Sequence, residues 1–242
     1  MAGHSKWANI RHRKERVDAK RGKVFSRLVK EVTVAAKSGG MDPSSNARLR
    51  LSLEKAKEAN VPNDNIDRAI KRGGGMLDGG ANYTEVRYEG YGVGGAAVLV
   101  DCLTDNKNRT FPEVRNIFTK CGGNLGTDGS VAYLFKRCGQ LLFLECSNAA
   151  ALMDVAIENG ADDFIEEGEA VEVLCSPEQF PALLDAIRAA GYTPDESDIV
   201  MRAENDIVLS GDEGKRMQRL LDGLEDLDDT QQVYSNANIK EE

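Results

Sequence analysis

Ten lysine and arginine side chains fall within 25 residues near the start of this chain: Lys6, Arg11, Arg13, Lys14, Arg16, Lys20, Arg21, Lys23, Arg27 and Lys30. Cations at this density neutralise phosphates, and each phosphate contact releases condensed counterions, the general source of affinity for nucleic acid. Trp7, the only tryptophan, stands inside the run. An indole in a polar arm can stack on a base or fasten the arm to the protein. A second polar group, Thr104–Thr110 (TDNKNRT), offers Asn106, Lys107, Asn108 and Arg109 to phosphate and sugar. A third, residues 122–130 (GGNLGTDGS), has the same character, although caps and turns call for many of the same residues. The candidate nucleic-acid-binding set is therefore Lys6, Trp7, Arg11, His12, Arg13, Lys14, Arg16, Lys20, Arg21, Lys23, Arg27, Lys30, Asn106, Lys107, Asn108 and Arg109.

Catalysis has no comparable set. The two histidines, His4 and His12, match no helical metal pair and lie among cations that oppose a metal. Gly90-Tyr-Gly92-Val-Gly94-Gly95 satisfies G-x-G-x-x-G, but strand patterns flank it on both sides. The dinucleotide fingerprint needs a helix after the glycines, so this is a hairpin connector. Acidic pairs such as Asp162-Asp163 and Glu166-Glu167 look like solvated turns. No phosphate loop, nucleophile elbow or zinc-protease motif is present. The expectation is no catalytic residue, no metal, no cofactor and no small-molecule substrate. Cys102, Cys121, Cys138, Cys146 and Cys175 are odd in number and scattered. They read as buried thiols in a reducing compartment. No apolar run approaches a membrane span and no signal peptide is evident, so a cytoplasmic location without membrane contact is expected.

The net charge of −9 conceals a division. Residues 1–75 carry 18 basic against 8 acidic residues, leaving 13 against 32 for the rest. One end suits a polyanion and the other repels it.

Periodicity supplies the elements that carry these groups. Residues 1–22 read as an irregular basic arm. Phe25, Leu28, Val29, Val32 and Ala36 mark one face of a helix, with Lys23, Arg27, Lys30 and Lys37 on the opposite face. Asp42-Pro43 reads as the start of a second helix, stopped by Asn60. A third runs from about 62 to 72, completing a three-helix bundle. Beyond residue 80 strands take over, at 84–91, 95–103 and 130–135. A helix between the last two is capped by Thr110 with Glu113. Residues 138–204 then follow strand-helix-strand-strand-helix-strand, the ferredoxin-like order. Their helix starts include a Ser176–Gln179 capping box. Within 138–201, Arg188 is the one basic residue against 14 acidic ones. A strand at 206–210 and a helix from Ser210 to Leu227, boxed by Glu213, must return to the earlier strands. The closing residues 236–242 read as frayed.

The expected fold is α+β and multidomain. It comprises a basic helical domain with its arm (1–80), a discontinuous α/β middle domain (81–137 plus 205–242) and an inserted acidic ferredoxin-like domain (138–204). Residues 76–242 are expected to fold without the first 75.

Six blocks carry a resemblance over almost the whole chain: AGHSKWANIRHRK, DAKRGKVFSRL, DNIDRAIKRG, EVRYEGYGVGG, LTDNKNRT and GGNLGTDGSVAYLF. In that order they resemble the YebC family. It includes bacterial proteins catalogued as probable transcriptional regulators and the mitochondrial translational activator of cytochrome oxidase subunit one. The resemblance implies a helical first domain and two α/β domains, with the basic N-terminal surface as the binding element. It also implies a DNA-binding regulator of gene expression, or a factor acting on translating ribosomes, including relief of stalls at proline runs. The partner is nucleic acid, DNA or RNA, the ribosome included. Two residue-level features bear on that choice. A helical pair ending in Asn65, Arg68 and Arg72 could face a DNA groove, but no apolar seam announces a dimer. A basic arm with an aromatic, plus polar loops on a second domain, suits folded RNA.

Overall fold

The computed structural model describes residues 21–77 and 82–240, with Arg21 described by its backbone alone. The first helix, α1 (Arg21–Gly39), ends where Gly40 takes a positive φ of 90°. α2 (Ala47–Glu58) starts later than Asp42-Pro43 suggests. The Asp42 carboxylate instead accepts from Ser44, closing a local turn. Asn46 takes the cap because it serves two helices at once. Its Oδ1 accepts from Leu49 N at 3.0 Å, while its Nδ2 donates to the Ala35 and Gly40 carbonyls at 2.8 Å. Asn60, at φ 59°, turns the chain into α3 (Asn63–Gly73). A Cβ at Gly73 would collide with the Thr33 carbonyl, so glycine is what lets the end of α3 lie against α1. Val32, Ala35, Ala36, Leu49, Ala56, Val61, Ile66 and Ala69 form the bundle core.

The first sheet has the order β3-β1-β2-β9. β1 (Thr84–Tyr91) and β2 (Ala97–Thr104) form the expected hairpin through the glycine connector. A Cβ at Gly92 would meet the Met217 sulfur at 2.6 Å, so the connector lies directly on a later helix. That helix, α7 (Gly211–Glu225), and α4 (Lys107–Lys120) cover one face of the sheet. Val98, Val100 and Cys102 meet Val114, Phe118, Met217, Leu220 and Leu224 there. β3 (Asn124–Leu125) and β9 (Thr230–Ser235) complete the sheet.

The second sheet, β5-β6-β4-β7, is antiparallel throughout and has the ferredoxin-like order. Its strands are β4 (Phe135–Phe143), β5 (Asp163–Glu167), β6 (Ala170–Cys175) and β7 (Glu196–Ala203). α5 (Ala149–Glu158) and α6 (Phe180–Ala189) cover one face around Leu141, Val173, Leu152, Phe180 and Ile187. The two sheets meet where Ala97, Leu99 and Val131 pack with Phe135, Met201 and Ala203. The fold is α+β with several sheets.

Five local readings are corrected. The expected strand at 130–135 is a 3-10 turn over Ala132–Leu134 leading into β4. Its geometry is set by Glu89, whose buried carboxylate collects the amides of Gly129, Val131 and Ala132. α4 begins one turn before Thr110, with Asn106 as cap. The Ser176 box yields only a turn ahead of α6, and Ser210 caps α7 without a side-chain bond. Finally, residues 237–239 are not frayed. β10 (Ala237–Ile239) pairs in parallel with β8 (Ile207–Leu209), and Ile239 joins the core.

Candidate nucleic-acid interface

Of the sixteen expected binding residues, Lys6, Trp7, Arg11, His12, Arg13, Lys14, Arg16 and Lys20 lie outside the described residues, as does the side chain of Arg21. The rest fall into two groups, and the fold brings one member of each, Lys30 and Arg109, to the same carboxylate.

Lys23, Arg27 and Lys30 recur at i, i+4 and i+7, so they form one stripe along α1. Its opposition to the apolar face implied open solvent, but only the Lys23 end is exposed, and Arg27 and Lys30 are partly buried. It meets the C-terminal end of α7 and the acidic turn that follows. Lys23 Nζ donates to the Asp226 carbonyl at 2.6 Å and lies 3.5 Å from the Asp228 carboxylate. Arg27 donates to the Glu225 carbonyl. Lys30 donates to the Asp228 carbonyl and to Asp229 Oδ1, both at 2.9 Å, and sits 5.6 Å from the centre of the Tyr83 ring. Carbonyls at a helix C-terminus carry partial negative charge, so these cations complement both the α7 dipole and the carboxylates beyond it.

The loop 104–110 arrives at the same carboxylate from the other side. Asp229 Oδ2 accepts from Arg109 Nη2 at 2.6 Å, Thr104 Oγ1 at 3.0 Å and Thr110 Oγ1 at 2.8 Å. Burial would raise the Asp229 pKa, but the bonds from Arg109, Lys30 and Thr110 outweigh it and hold the pKa down to about 2. The same bond to Asp229, with a second to Asp105, raises the Arg109 pKa further. An open cavity of about 310 Å³ lies over this cluster, walled by Lys30, Tyr83, Arg109, Glu113 and Asp228.

Asn106 is occupied as the α4 cap, accepting from Arg109 N at 3.2 Å. Lys107 and Asn108 are exposed on the first turn of α4. Lys107 borders a second hollow of about 400 Å³ beside Phe111, which is 44% exposed, and Asp128. On α3, Asn65, Arg68 and Lys71 are exposed.

Sequence reasoning missed Asp229, Tyr83, Thr104 and Thr110 as members of this junction. The available signal was the run Glu225-Asp226-Leu227-Asp228-Asp229 directly after an amphipathic helix, opposite in charge to the α1 stripe. It was overlooked because turn acids are ordinarily solvated.

The rest of the bundle docks through further ion pairs. Arg48 reaches Glu85 at 2.5 Å, Lys55 reaches Asp198 at 2.5 Å, and Arg188 reaches Glu54 and Glu58 at 3.4 and 3.3 Å. Two of the thiols, Cys102 and Cys175, offer little nucleophilicity. Burial pushes Cys102 up to about 12 and Cys175 up to about 11. Among the described residues, no group of three or more His, Cys, Asp or Glu is arranged to hold a metal, and no helix is long and apolar enough to cross a membrane.

Two family models match the chain. Residues 5–76 match the TACO1/YebC protein N-terminal domain, and residues 83–237 match the TACO1/YebC second and third domain. A probable transcriptional regulatory protein of Cupriavidus pinatubonensis is 57% identical over 242 residues, covering 100% of both chains. One of Laribacter hongkongensis is 58% identical over 238 residues, covering 98% of both. The crystal structure of a conserved hypothetical protein from Aquifex aeolicus superposes with a TM-score of 0.82 at 42% identity, over 93% of each chain. With both models matched and full-length relatives of this similarity, the chain belongs to the TACO1/YebC family.

Proposed function

We propose that the protein is a non-enzymatic, nucleic-acid-binding regulator of gene expression, a regulator of transcription like the relatives so named, acting by binding DNA. The observation that carries this reading is the charge division, 18 cations against 8 acids in residues 1–75 on an otherwise acidic chain. Binding is through the N-terminal arm and the exposed faces of the bundle, with Arg68 and Lys71 of α3 beside them.

A second reading, an RNA- or ribosome-binding translation factor, is favoured by one placement. The first-helix stripe and the 104–110 loop come from separate parts of the chain yet meet at Asp229. A composite surface with the exposed Lys107 and Asn108 suits the shape and phosphates of folded RNA better than a groove reader does.

The test is a salt titration. Log K against log salt should fall by about 0.7 to 0.9 per phosphate engaged. Replacing Arg11, Arg13, Lys14 and Arg16 with alanine should flatten that slope and weaken binding to all sequences alike, since phosphates carry no sequence information. An unchanged slope would remove the arm from the interface. Co-sedimentation with ribosomes, compared with retention on genomic DNA fragments at physiological salt, separates the two readings.

A further inference from the structure

We propose that the turn Glu225–Asp229 is a built-in competitor for nucleic acid, occupying the basic stripe of α1 until a polyanion displaces it. The inference rests on the nucleic-acid-binding reading above.

Lys23, Arg27 and Lys30 are cations able to donate to phosphate, and all three are held by one short acidic segment. Along α1 they span about 10 Å, roughly the length of three phosphates on one strand. The segment meets them with carbonyls at a helix C-terminus and with two carboxylates, which is the kind of charge a phosphate backbone presents. The contact is graded. At its rim, the Lys23 and Asp228 side chains are 43% and 85% exposed, whereas at its root those of Lys30 and Asp229 are 15% and 3% exposed. An incoming strand can therefore take Lys23 first and displace the turn from its open side, while Arg109, Thr104 and Thr110 keep Asp229 seated. Screened rim pairs are weak, so the exchange needs little free energy.

The test compares two double variants with the same gain in net charge. Asp226→Asn with Asp228→Asn removes the Asp228 carboxylate from Lys23 and lowers the negative charge of the turn, while leaving its carbonyl contacts in place. Glu166→Gln with Glu169→Gln neutralises two exposed acids on and beside β5, in the second sheet. Affinity for a short single-stranded RNA and for a DNA duplex of matching sequence is measured at physiological salt. The first variant is expected to bind about fivefold more tightly than the second. In the wild-type protein, bound nucleic acid is expected to accelerate amide hydrogen exchange in 221–229. Equal affinities for the two variants, or slower exchange in that segment on binding, would overturn the competitor while leaving wild-type binding intact. Absence of binding by every form to both probes would overturn the function reading and the competitor together. The exchange experiment uses the unaltered chain, so it decides the matter even where a variant folds poorly.

Discussion

At the residue scale the junction depends on a single carboxylate. Asp229 collects Lys30, Arg109, Thr104 and Thr110, and its main-chain carbonyl accepts from Leu103 N at 2.8 Å. Asp229→Asn leaves two cations facing an amide and disturbs two buried hydroxyls. The expected cost is on the order of 2–3 kcal/mol in urea denaturation, with the dependence on denaturant unchanged. Protonation does the same to the wild type. The folded pKa lies at about 2 against an ordinary 3.8, so the stabilisation is fully present above pH 4. It is lost as pH falls through the folded pKa. The gap between wild type and variant should therefore narrow between about pH 4 and pH 2. A gap independent of pH would remove the carboxylate charge from the account. None of this was legible locally. Thr110 with Glu113 reads as a capping box, whereas its hydroxyl answers an acid 119 residues away. Pairings at that distance leave no trace in spacing, and only the opposite signs of the two runs pointed toward them.

At the scale of elements, periodicity located the helices and most strands, because apolar spacing is what buries them, but it left β3, β9 and β10 unassigned. It failed where a segment's stability comes from partners elsewhere. Asp42 lost its cap to Asn46 because only an asparagine side chain also donates to the end of α1. The closing residues 236–242 read as frayed, yet Asn236, β10 and Ile239 each have a distant partner. Asn236 Oδ1 accepts from Ala97 N at 2.7 Å, β10 pairs with β8, and Ile239 is 8% exposed in the core under α7. Ending the chain at Ser235 should therefore lower stability by roughly 3–5 kcal/mol, combining an uncovered core position with a lost buried hydrogen bond. A thermal midpoint within a degree or so of the full chain would show that β10 contributes nothing and restore the frayed-tail expectation.

For the whole molecule, the charge division was visible in composition, but its meaning was only half visible. Counting predicts a basic end that seeks anions, and the acidic remainder of the same chain is an anion already within reach. Lys23, Lys30, Arg48 and Lys55 all lie against it. Alongside these pairs, Leu51 of the bundle packs on the core of the second sheet. The division into three domains, with residues 76–242 an independent unit, can therefore be tested together with the nature of that interface. Both sheets and their helices have cores that draw little from the bundle, so the 76–242 fragment should show a cooperative thermal transition of its own. At low salt its midpoint should lie a few degrees below that of the full chain, because the docked bundle adds ion pairs and some apolar burial. Salt screens the exposed pairs and leaves burial almost untouched, so raising ionic strength should shrink the difference without abolishing it. A fragment without a cooperative transition would make the bundle part of the body's folding unit. A difference that ignores salt would assign the docking to Leu51 and its neighbours, with the surrounding charges contributing nothing to hold the two parts together.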